Sequence, residues 1–343
     1  MDEKIVFPAE WEPQSAVQII WPHTGTDWSP MLDEATDCFA AVASKIAARE
    51  TLLVVCVDSE AVRQRIGDAG NVIYREMPTN DTWARDCGGI TVFADGRPVI
   101  YDFVFNGWGM KFAANHDNLI TRRLARMGVF GQDVEVVNMQ PLVLEGGSIE
   151  TDGQGTLLTT VECLSSVNRN EYLGKEQLEY HLRNCFGADR ILWLENGYLA
   201  GDDTDSHIDT LARFCDPQTI AYVRCNDPND EHYYELQAME EELRAFRTTD
   251  GRPYRLLPLP MADEICFDGE RLPATYANFL IINNAVLMPF YMSDKDEIAR
   301  AALQNAFPER EIIGIDCRAL IKQHGSLHCI TMQFPKGVIT LKS

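Results

Sequence analysis

One cysteine near the end of the sequence stands where a nucleophile could be held rigid and yet within reach of a substrate. Cys329 follows a glycine-containing turn in the run His324-Gly-Ser-Leu-His-Cys-Ile-Thr-Met-Gln-Phe-Pro335, where an alternating apolar strand is predicted to begin. The thiol alone is weak evidence, because free cysteines are among the most buried residue types and commonly act as small hydrophobic side chains. Its meaning depends on the acids and bases that the fold brings to it.

Four polar residues lie at or just before other predicted strand pairs, and together with the thiol they suit one kind of chemistry. They are Asp86, Glu145, His207 and Asp209. A guanidinium group is a planar cation whose fork of N–H donors pairs with carboxylates two bonds at a time. Its central carbon is a poor electrophile, so an enzyme must hold the group flat, keep it protonated and supply a strong nucleophile. We therefore predict a site for guanidinium hydrolysis.

Each residue type has a role in that reaction. Asp86 and Asp209 would accept N–H bonds from the guanidinium, and Cys329 would attack as a thiolate whose pKa is lowered by the cationic substrate. His207 could give a proton to the departing amine and then take one from water, a contribution of about 10² to 10⁴ in rate. Glu145 would orient the imidazole and favour its protonated form. This chemistry needs no metal and no cofactor.

Two neighbouring residues are weaker candidates for the same roles. His328 precedes Cys329 on the predicted alternating strand and should point to the opposite face, so we do not assign it as the base. Cys87 is a rival nucleophile, but it should point away from the site if the segment around Asp86 is extended. The prediction therefore keeps Cys329 as the nucleophile.

Composition and charge favour an enzyme that acts on a small cation. The 343 residues are 45% hydrophobic and 24% charged, which allows a sizeable core, and we expect a single domain over residues 1–343. Acids outnumber bases 52 to 30, giving a formal net charge of −22. This charge opposes binding to nucleic acid phosphates or to anionic lipid. We expect a cationic substrate, and neither nucleic acid nor membrane as a partner.

Cysteine usage and the lack of an apolar span indicate the cytoplasm. The ten cysteines are scattered without a C-x-x-C pair, which fits reduced thiols better than a disulfide framework or a zinc site. There is no apolar stretch of membrane-spanning length, and the N-terminal run Met1-Asp-Glu-Lys-Ile-Val-Phe-Pro lacks the basic and apolar regions of an export signal. The expectation is a soluble, unexported protein.

A pattern of strand, tight turn, strand, helix and strand recurs along the chain. The five predicted strand pairs are residues 89–93 with 98–103, 148–151 with 156–160, 208–214 with 219–223, 278–282 with 285–289, and 328–334 with 337–341. Turn residues such as Asp95-Gly96 between apolar runs are the signal for hairpins. Units that recur roughly every 50 to 70 residues indicate a circular array built from one supersecondary piece.

Helical periodicity and short strands fill the segments between the pairs. Helices are predicted at 118–127, 175–186, 231–246 and 294–307, and short strands at 134–137 and 190–194. An N-terminal strand at 17–21, a helix at 33–49 and a strand at 52–56 would complete the unit that the last hairpin opens. In such a ring the strand starts converge on the central axis, so that one pocket can collect an acid, a histidine and a thiol.

With these motifs in place, the sequence resembles the agmatine deiminase and bacterial peptidylarginine deiminase family, within the guanidino-group-modifying superfamily. The motifs that carry the resemblance are Trp21-Pro22 with Trp28, Trp83-Ala-Arg-Asp-Cys-Gly, Phe105-Asn-Gly-Trp-Gly, Leu144-Glu-Gly-Gly-Ser-Ile, Gly155-Thr-Leu-Leu-Thr-Thr with Asn168-Arg-Asn, Asp205-Ser-His-Ile-Asp, and Leu327-His-Cys-Ile-Thr. The resemblance implies an α/β fold, a five-bladed pseudosymmetric propeller of ββαβ units, and a homo-oligomer, at least a dimer.

The resemblance also implies an activity and residue roles. It implies hydrolysis of agmatine to N-carbamoylputrescine and ammonia through a covalent thiouronium on Cys329, with His207 as acid and base. Asp86 and Asp209 would clamp the guanidinium, and Glu145 would be the orienting acid. The tail of agmatine ends in an ammonium group. Residues that could bind the tail or line the pocket are Trp83, Trp108, Asp203, Asp205 and Gly325.

Departures from the family pattern leave the substrate tail open. Many members carry Gly-Gly-Gly-Asn where this chain has His324-Gly-Ser-Leu, Gly in place of Ser206, and His in place of Glu150. Free arginine and C-terminal peptidyl arginine could be deiminated by the same residues. A metal-dependent hydrolase using His207, Asp209 and His324 is a second alternative. The third is a non-catalytic protein that binds polyamines or guanidines.

Overall fold

Five β-sheets of three or four strands form the framework in the computed structural model, which describes residues 3–340. In sequence order, the strands of the five sheets are Ile5–Val6, Ile90–Ala94, Arg97–Val104 and Glu135–Val143; Ile149–Thr151, Thr156–Thr160 and Arg190–Leu194; Ala212–Asp216, Thr219–Arg224 and Arg255–Pro260; Leu280–Ile282, Ala285–Phe290 and Glu311–Asp316; and Gln14–Ile20, Thr51–Cys56, Val72–Glu76 and Thr331–Pro335. A separate ribbon pairs Cys266–Phe267 with Glu270–Arg271.

The five sheets share one order of pairing. In each, two strands pair antiparallel, and the second of them pairs in parallel with a strand that follows a helix or loop. In four sheets the antiparallel pair is a hairpin of neighbouring strands. The fifth joins the two ends of the chain, because Thr331–Pro335 pairs antiparallel with Gln14–Ile20. The N-terminal strands therefore complete the unit that begins next to Cys329, as the sequence predicts.

Six helices of seven residues or more cover the sheets, and shorter helical turns connect them. The longer helices are Leu32–Ala47, Ser59–Ile66, Ile120–Arg126, Lys175–Phe186, Tyr233–Ala245 and Lys295–Ala306. The short turns are Ser29–Met31, Ala84–Cys87, Gly107–Met110, Asp117–Leu119, Gly146–Ser148, Val161–Leu164, Val167–Asn170, Ile208–Leu211 and Arg318–Ile321. Within residues 3–340, no helix has both the length and the apolar character needed to cross a membrane.

Two predicted strand segments begin differently in the structure. Residues 208–211 form a helical turn before the strand Ala212–Asp216. Cys329 lies in a turn that precedes the strand Thr331–Pro335, so the prediction that His328 lies on an alternating strand is wrong. The segment around Asp86 is not extended either, because Ala84–Cys87 is helical.

The predicted strand 337–341 does not form in the described part of that segment. Gly337 has a φ of 94°, which is unfavourable for other residues and turns the chain away from Thr331–Pro335. Ile339 then makes an isolated bridge with Phe130. Leu341 lies outside the described residues. The predicted hairpin partner is replaced by Gln14–Ile20, a longer strand whose side chains are nearly all buried.

The helix Lys175–Phe186 shows how an amphipathic segment joins the core. It ends at Gly187, whose φ of 62° is a left-handed conformation that glycine adopts readily. Phe186 lies on its buried face, with ring centroids 4.8 Å from Phe7 and 5.8 Å from Phe103. We expect Phe186→Ala to lower the free energy of unfolding by about 3–5 kcal/mol, because it leaves a cavity among aromatic rings.

Chemical denaturation would measure this loss. The matched control is Tyr180→Ala on the same helix, whose side chain is 66% exposed and whose replacement should change stability by no more than about 0.5 kcal/mol. Equal losses in the two variants would contradict the burial of this face.

Candidate active site

Short turns at the starts of the hairpins bring distant parts of the sequence together. The helical turn Ala84–Cys87 packs on Gly146–Ser148, which also contacts Ile208–Leu211. The backbone N–H of Arg85 donates to the carbonyl oxygen of Cys329 at 3.1 Å. These contacts place the predicted acids, the histidine and the thiol around one buried centre.

Cys329 is held by an asparagine that was not among the predicted site residues. Cys329 lines a cavity and is only 5% exposed. Asn278 Oδ1 accepts hydrogen bonds from the backbone N–H groups of His328 at 2.9 Å and Cys329 at 3.3 Å, and lies 3.4 Å from the Cys329 Sγ. Burial, together with the charges of Asp209 and Asp86, raises the pKa of the thiol well above its usual value. Without a substrate the thiol is therefore protonated.

Asp86 is fixed by two donors on opposite sides. The indole Nε1–H of Trp108 donates to Oδ2 at 2.9 Å, and the backbone N–H of Gly147 donates to Oδ1 at 3.1 Å. The same Oδ1 lies 3.6 Å from His207 Nδ1. Burial and the negative charge of Asp209 raise the pKa of Asp86 well above its ordinary range. Two carboxylates so close together favour a cation between them.

His207 is buried and neutral in the free protein. Burial lowers its pKa to about 3, against the opposing charge of Asp209. Its Nε2 lies 4.0 Å from Glu145 Oε2 and has no hydrogen-bond partner. A neutral imidazole with a free nitrogen can accept a proton, which is what a general base requires.

Glu145 is bound by an arginine that the sequence reasoning missed. Arg169 Nε lies 2.9 Å and 3.1 Å from the two carboxylate oxygens, and both side chains are buried. Burial raises the pKa of Glu145, and the positive charge of Arg169 opposes that rise. Asn168-Arg-Asn was recognised as a motif, but its arginine carried no predicted role. Arg169 fixes the acid that faces His207.

Asp205 does not take the place predicted for it. One carboxylate oxygen accepts from Lys111 at 2.6 Å and the other accepts from Arg169 at 2.6 Å. Like His207, Asp209 and Glu145, it is absent from the cavity lining. Because two cations already neutralise this carboxylate, it ties the loop to Arg169 instead of offering a free charge to a substrate.

A cavity of about 140 Å³ opens next to the thiol, and its lining is strongly acidic. The lining residues are Asp27, Asp81, Trp83, Asp86, Trp108, Phe112, Asp203, Thr204, Gln323, His324, Gly325 and Cys329. Of the predicted substrate-binding residues, Trp83, Trp108, Asp203 and Gly325 lie here. Asp27 and Asp81 were missed, since neither lies in a recognised motif. No lysine or arginine is among these lining residues.

Two glycines allow close approaches that a side chain would block. A Cβ on Gly325 would overlap the ring of Trp83, so the turn before the nucleophile lies flat on the indole. A Cβ on Gly147 would lie 2.6 Å from His207 Nδ1 and 2.8 Å from Asp86 Oδ1. The Gly-Gly pair after Glu145 is therefore a packing requirement of the site.

Asp209 also lies at this buried centre, and only one of its two carboxylate oxygens is hydrogen-bonded. His328 Nδ1 lies 2.7 Å from Oδ2, whereas the buried Oδ1 has no hydrogen-bond partner. Burial raises the pKa of Asp209, but the hydrogen bond and charge of His328 outweigh it and lower the pKa overall. The carboxylate thus stays ionised among buried groups. Its free oxygen can accept an N–H from a cationic ligand.

The ligand set of the metal-dependent alternative does not come together. Among residues 3–340, the group of three side chains close enough to share a metal ion is Glu145, Cys163 and His207. Asp209 and His324 are not part of that group. His324 instead places Nδ1 2.7 Å from the carbonyl oxygen of Gly201.

The fold and the family follow from comparison with known proteins. Dimethylarginine dimethylaminohydrolase from Pseudomonas aeruginosa has a related structure, with a TM-score of 0.51 over 94% of this chain and 100% of that one, at 13% identity. The chain thus shares a mixed α/β fold with that enzyme. The chain belongs to the Porphyromonas-type peptidyl-arginine deiminase family, whose model matches residues 6–335.

Individual relatives carry two kinds of name. A Porphyromonas gingivalis crystal structure named "Putative Arginine Deiminase" is 57% identical, with a TM-score of 0.95 and coverage of 98% of this chain and 100% of that one. A cysteine-to-serine variant of C. jejuni agmatine deiminase with substrate bound is 39% identical, with a TM-score of 0.92 and 98% coverage of both chains. A Vibrio parahaemolyticus protein named "Putative agmatine deiminase" is 35% identical over 96% of both chains.

Proposed function

We propose that this protein hydrolyses agmatine to N-carbamoylputrescine and ammonia, with Cys329 as the nucleophile. One observation carries the choice of substrate: besides Asp86, the lining of the cavity holds Asp27, Asp81 and Asp203, and it contains no lysine or arginine. Agmatine carries a cation at each end. Arginine and C-terminal peptidyl arginine carry a carboxylate, which would enter an acidic pocket without a cationic partner. The agmatine deiminase names among the relatives support the same substrate.

The resting protonation states support a substrate-assisted start to the reaction. A guanidinium between Asp86 and Asp209 neutralises the charges that keep the Cys329 thiol protonated. The thiol then gives its proton to neutral His207, and Sγ attacks the central carbon of the guanidinium. The imidazolium returns the proton to the departing nitrogen, which leaves as ammonia. A thiouronium on Cys329 is left behind.

The second half of the reaction uses the same groups in reverse. Water attacks the thiouronium carbon and gives a proton to His207. The tetrahedral adduct loses its hydroxyl proton and expels Cys329 as a thiolate, which gives the ureido product. The imidazolium returns its proton to the thiolate, and the hydroxyl proton passes to solvent, where it converts the released ammonia to ammonium. Glu145, fixed by Arg169, stabilises the imidazolium that forms twice in the cycle.

Incubation of the purified protein with agmatine tests this proposal. Equimolar ammonia and N-carbamoylputrescine, measured by enzymatic assay and mass spectrometry, are the expected products. Full activity after exhaustive chelation would exclude the metal-dependent alternative. Binding of agmatine with neither product would instead favour the non-catalytic polyamine-binding alternative and contradict the proposal.

Binding of the agmatine ammonium by Asp203 should depend on pH. Burial and the neighbouring Asp202 raise the pKa of Asp203 to about 6, and burial with Asp117 and Asp27 raises that of Asp81 to about 7. Both acids are neutral below these values and anionic above them, while the ammonium of agmatine stays protonated. The KM for agmatine should therefore fall as the pH rises from 5 to about 8.

Replacing the acid tests whether it meets the ammonium group. We expect Asp203→Asn to raise the KM for agmatine about tenfold at pH 8, the loss of one partly desolvated ion pair. Butylguanidine is the matched control, because it keeps the guanidinium and the chain but lacks the ammonium. An equal rise in KM for both substrates would show that Asp203 acts on the loop rather than on the tail.

The remaining features follow from the arrangement of the sheets and thiols. We propose that the five sheets form a closed five-bladed propeller within a single domain over residues 1–343, supported by their shared pairing order and one continuous buried core. All ten cysteines are free thiols, which supports a cytoplasmic location. A homodimer remains a prediction from the family resemblance.

A further inference from the structure

His328, which the proposed reaction does not use, lies between two buried carboxylates. Its Nδ1 is 2.7 Å from Asp209 Oδ2, and its Nε2 is 2.8 Å from Glu10 Oε2. A carboxylate oxygen only accepts, so each of these short contacts needs a proton between nitrogen and oxygen. A neutral imidazole supplies one N–H. Two protons are therefore needed for the two contacts. A neutral histidine between two ionised acids has only one, so the three groups share one additional proton.

The surroundings of the ring decide where that proton lies. Although burial raises the pKa of both acids, Arg213 and His328 lower that of Glu10, and His328 lowers that of Asp209. Neither acid is therefore a good place for the proton. Burial, Arg213 and Arg85 lower the pKa of His328, against the opposing charges of the two acids. The contact distances place the additional proton on the ring, because an unprotonated ring nitrogen would point its lone pair at a carboxylate oxygen.

Charge balance in the buried cluster agrees with this assignment. The charged groups facing the ring are Glu10, Asp209, Arg85 and Arg213, and Glu150 pairs with the far side of Arg213. Burial raises the pKa of Glu150 to about 7, so above that pH it is ionised. Three carboxylates then face two guanidinium groups. One imidazolium makes the buried cluster neutral.

We propose that His328 is a positioning residue that, as an imidazolium, holds Asp209 in the orientation that receives the substrate. Donation to Oδ2 fixes the carboxylate and leaves Oδ1, which has no partner, open to an N–H of the guanidinium. This inference rests on the proposed function only in taking Asp209 as a guanidinium clamp. The proton shared by His328 exists whether or not a substrate is turned over.

Glu10 anchors this arrangement from the other end of the chain. Its Oε1 accepts from the backbone N–H of Ile281 at 2.7 Å, and its Oε2 accepts from Arg213 at 3.0 Å. The acid is thereby fixed to two different sheets before it meets the imidazole. A displacement of Glu10 would therefore displace the imidazole of His328, and with it the carboxylate of Asp209. A residue near the N-terminus thus sets the geometry beside Cys329.

Nitrogen-15 NMR of the histidine side chains tests the protonation directly. At pH 8 an ordinary histidine is neutral, with one protonated and one bare ring nitrogen. We expect one histidine to keep two N–H signals at pH 8 without substrate, and to be assigned to position 328 by its loss in His328→Gln. A neutral spectrum for His328 at pH 8 would overturn the proposal.

Glu10→Gln provides the functional arm and covers the case in which His328→Gln does not fold. An amide nitrogen in place of Oε2 can donate to His328 Nε2, and the amide oxygen can still accept from Ile281, so the extra proton is no longer needed. The hydrogen bond from Arg213 is lost in this variant. We expect His328 to become neutral and kcat/KM for agmatine to fall by up to about 10²-fold. The acid limb of the pH profile should move to higher pH as Asp209 loses its cationic neighbour.

Glu150→Gln is the matched control, since it removes a carboxylate from Arg213 without touching His328. It should leave the doubly protonated histidine in place, because both carboxylate contacts of the ring survive although the cluster loses one negative charge. Loss of the imidazolium signal in both variants, or an unshifted pH profile in Glu10→Gln, would reduce His328 to a structural residue and contradict the proposal. If agmatine proves not to be a substrate, the NMR result still decides the protonation of His328, so the two failures can be told apart.

Discussion

Cys329→Ala abolishes ammonia release from agmatine, with kcat/KM lower by about 10⁴ or more if the thiol is the nucleophile. The reason is that no other described thiol lines the cavity, and the remaining carboxylates bind the guanidinium without supplying an attacking atom. Agmatine binding should persist, because Asp86, Asp209 and Asp203 are unchanged. A steady-state ammonia assay gives the rate, and calorimetry gives the affinity of the inactive variant.

Cys87→Ala is the control for this result, because that thiol is buried directly beside Asp86 and is the rival nucleophile. Burial and the charges of Asp117 and Asp86 raise its pKa well above the usual value. It is absent from the cavity lining. Activity should be kept in Cys87→Ala. In the parent protein, acid-quenched turnover should leave an adduct on the peptide that contains Cys329. Full activity in Cys329→Ala would refute the mechanism.

Gly147→Ala gives the second largest expected effect, although it changes no reactive group. A methyl group there would lie 2.6 Å from His207 Nδ1 and 3.2 Å from Asp209 Oδ2, well inside contact distance. The imidazole or the carboxylates must move by an appreciable fraction of an ångström. A displacement of about 1 Å costs on the order of 10² in rate, so we expect a fall of that size in kcat/KM.

The measurement is steady-state kinetics together with a thermal unfolding curve. Gly70→Ala is the matched control, because a Cβ at that position meets nothing within 4 Å, and it should leave kcat/KM unchanged. A loss in Gly147→Ala that appears only as a lower Tm, with normal kcat/KM in the folded fraction, would mean that the site does not need this close approach.

Local signals in the sequence were sufficient for most of the framework. Helical periodicity predicts Lys175–Phe186 with both ends correct, and the turn at Asp95-Gly96 predicts the hairpin of Ile90–Ala94 with Arg97–Val104. The errors fall where tertiary contacts outweigh the local pattern. Residues 208–211 were predicted as the start of a strand, but they form a helical turn packed on Gly146–Ser148.

The candidate site was predictable where its residues stand in distinctive runs. The thiol and its acids each follow or precede a turn at a strand start, and in the structure they lie around one centre; their roles stay predictions. Arg169 and Glu10 were missed as site residues, and Asn278 at the start of the fourth strand pair had no predicted role, because their partners lie 24 or more positions away in the sequence. The misplacement of Asp205 has the same origin, since nothing local indicates that Lys111 and Arg169 occupy its carboxylate.

A comparison of kcat/KM for agmatine, free arginine and a C-terminal peptidyl arginine tests the central claim most directly. Each substrate presents the same guanidinium to Cys329 and differs only in what its tail brings to Asp27, Asp81 and Asp203. The account predicts ureido product from agmatine with a kcat/KM at least about 10² higher than from either carboxylate-bearing substrate. An equal or higher value for free or peptidyl arginine, or no ureido product from agmatine, would contradict it.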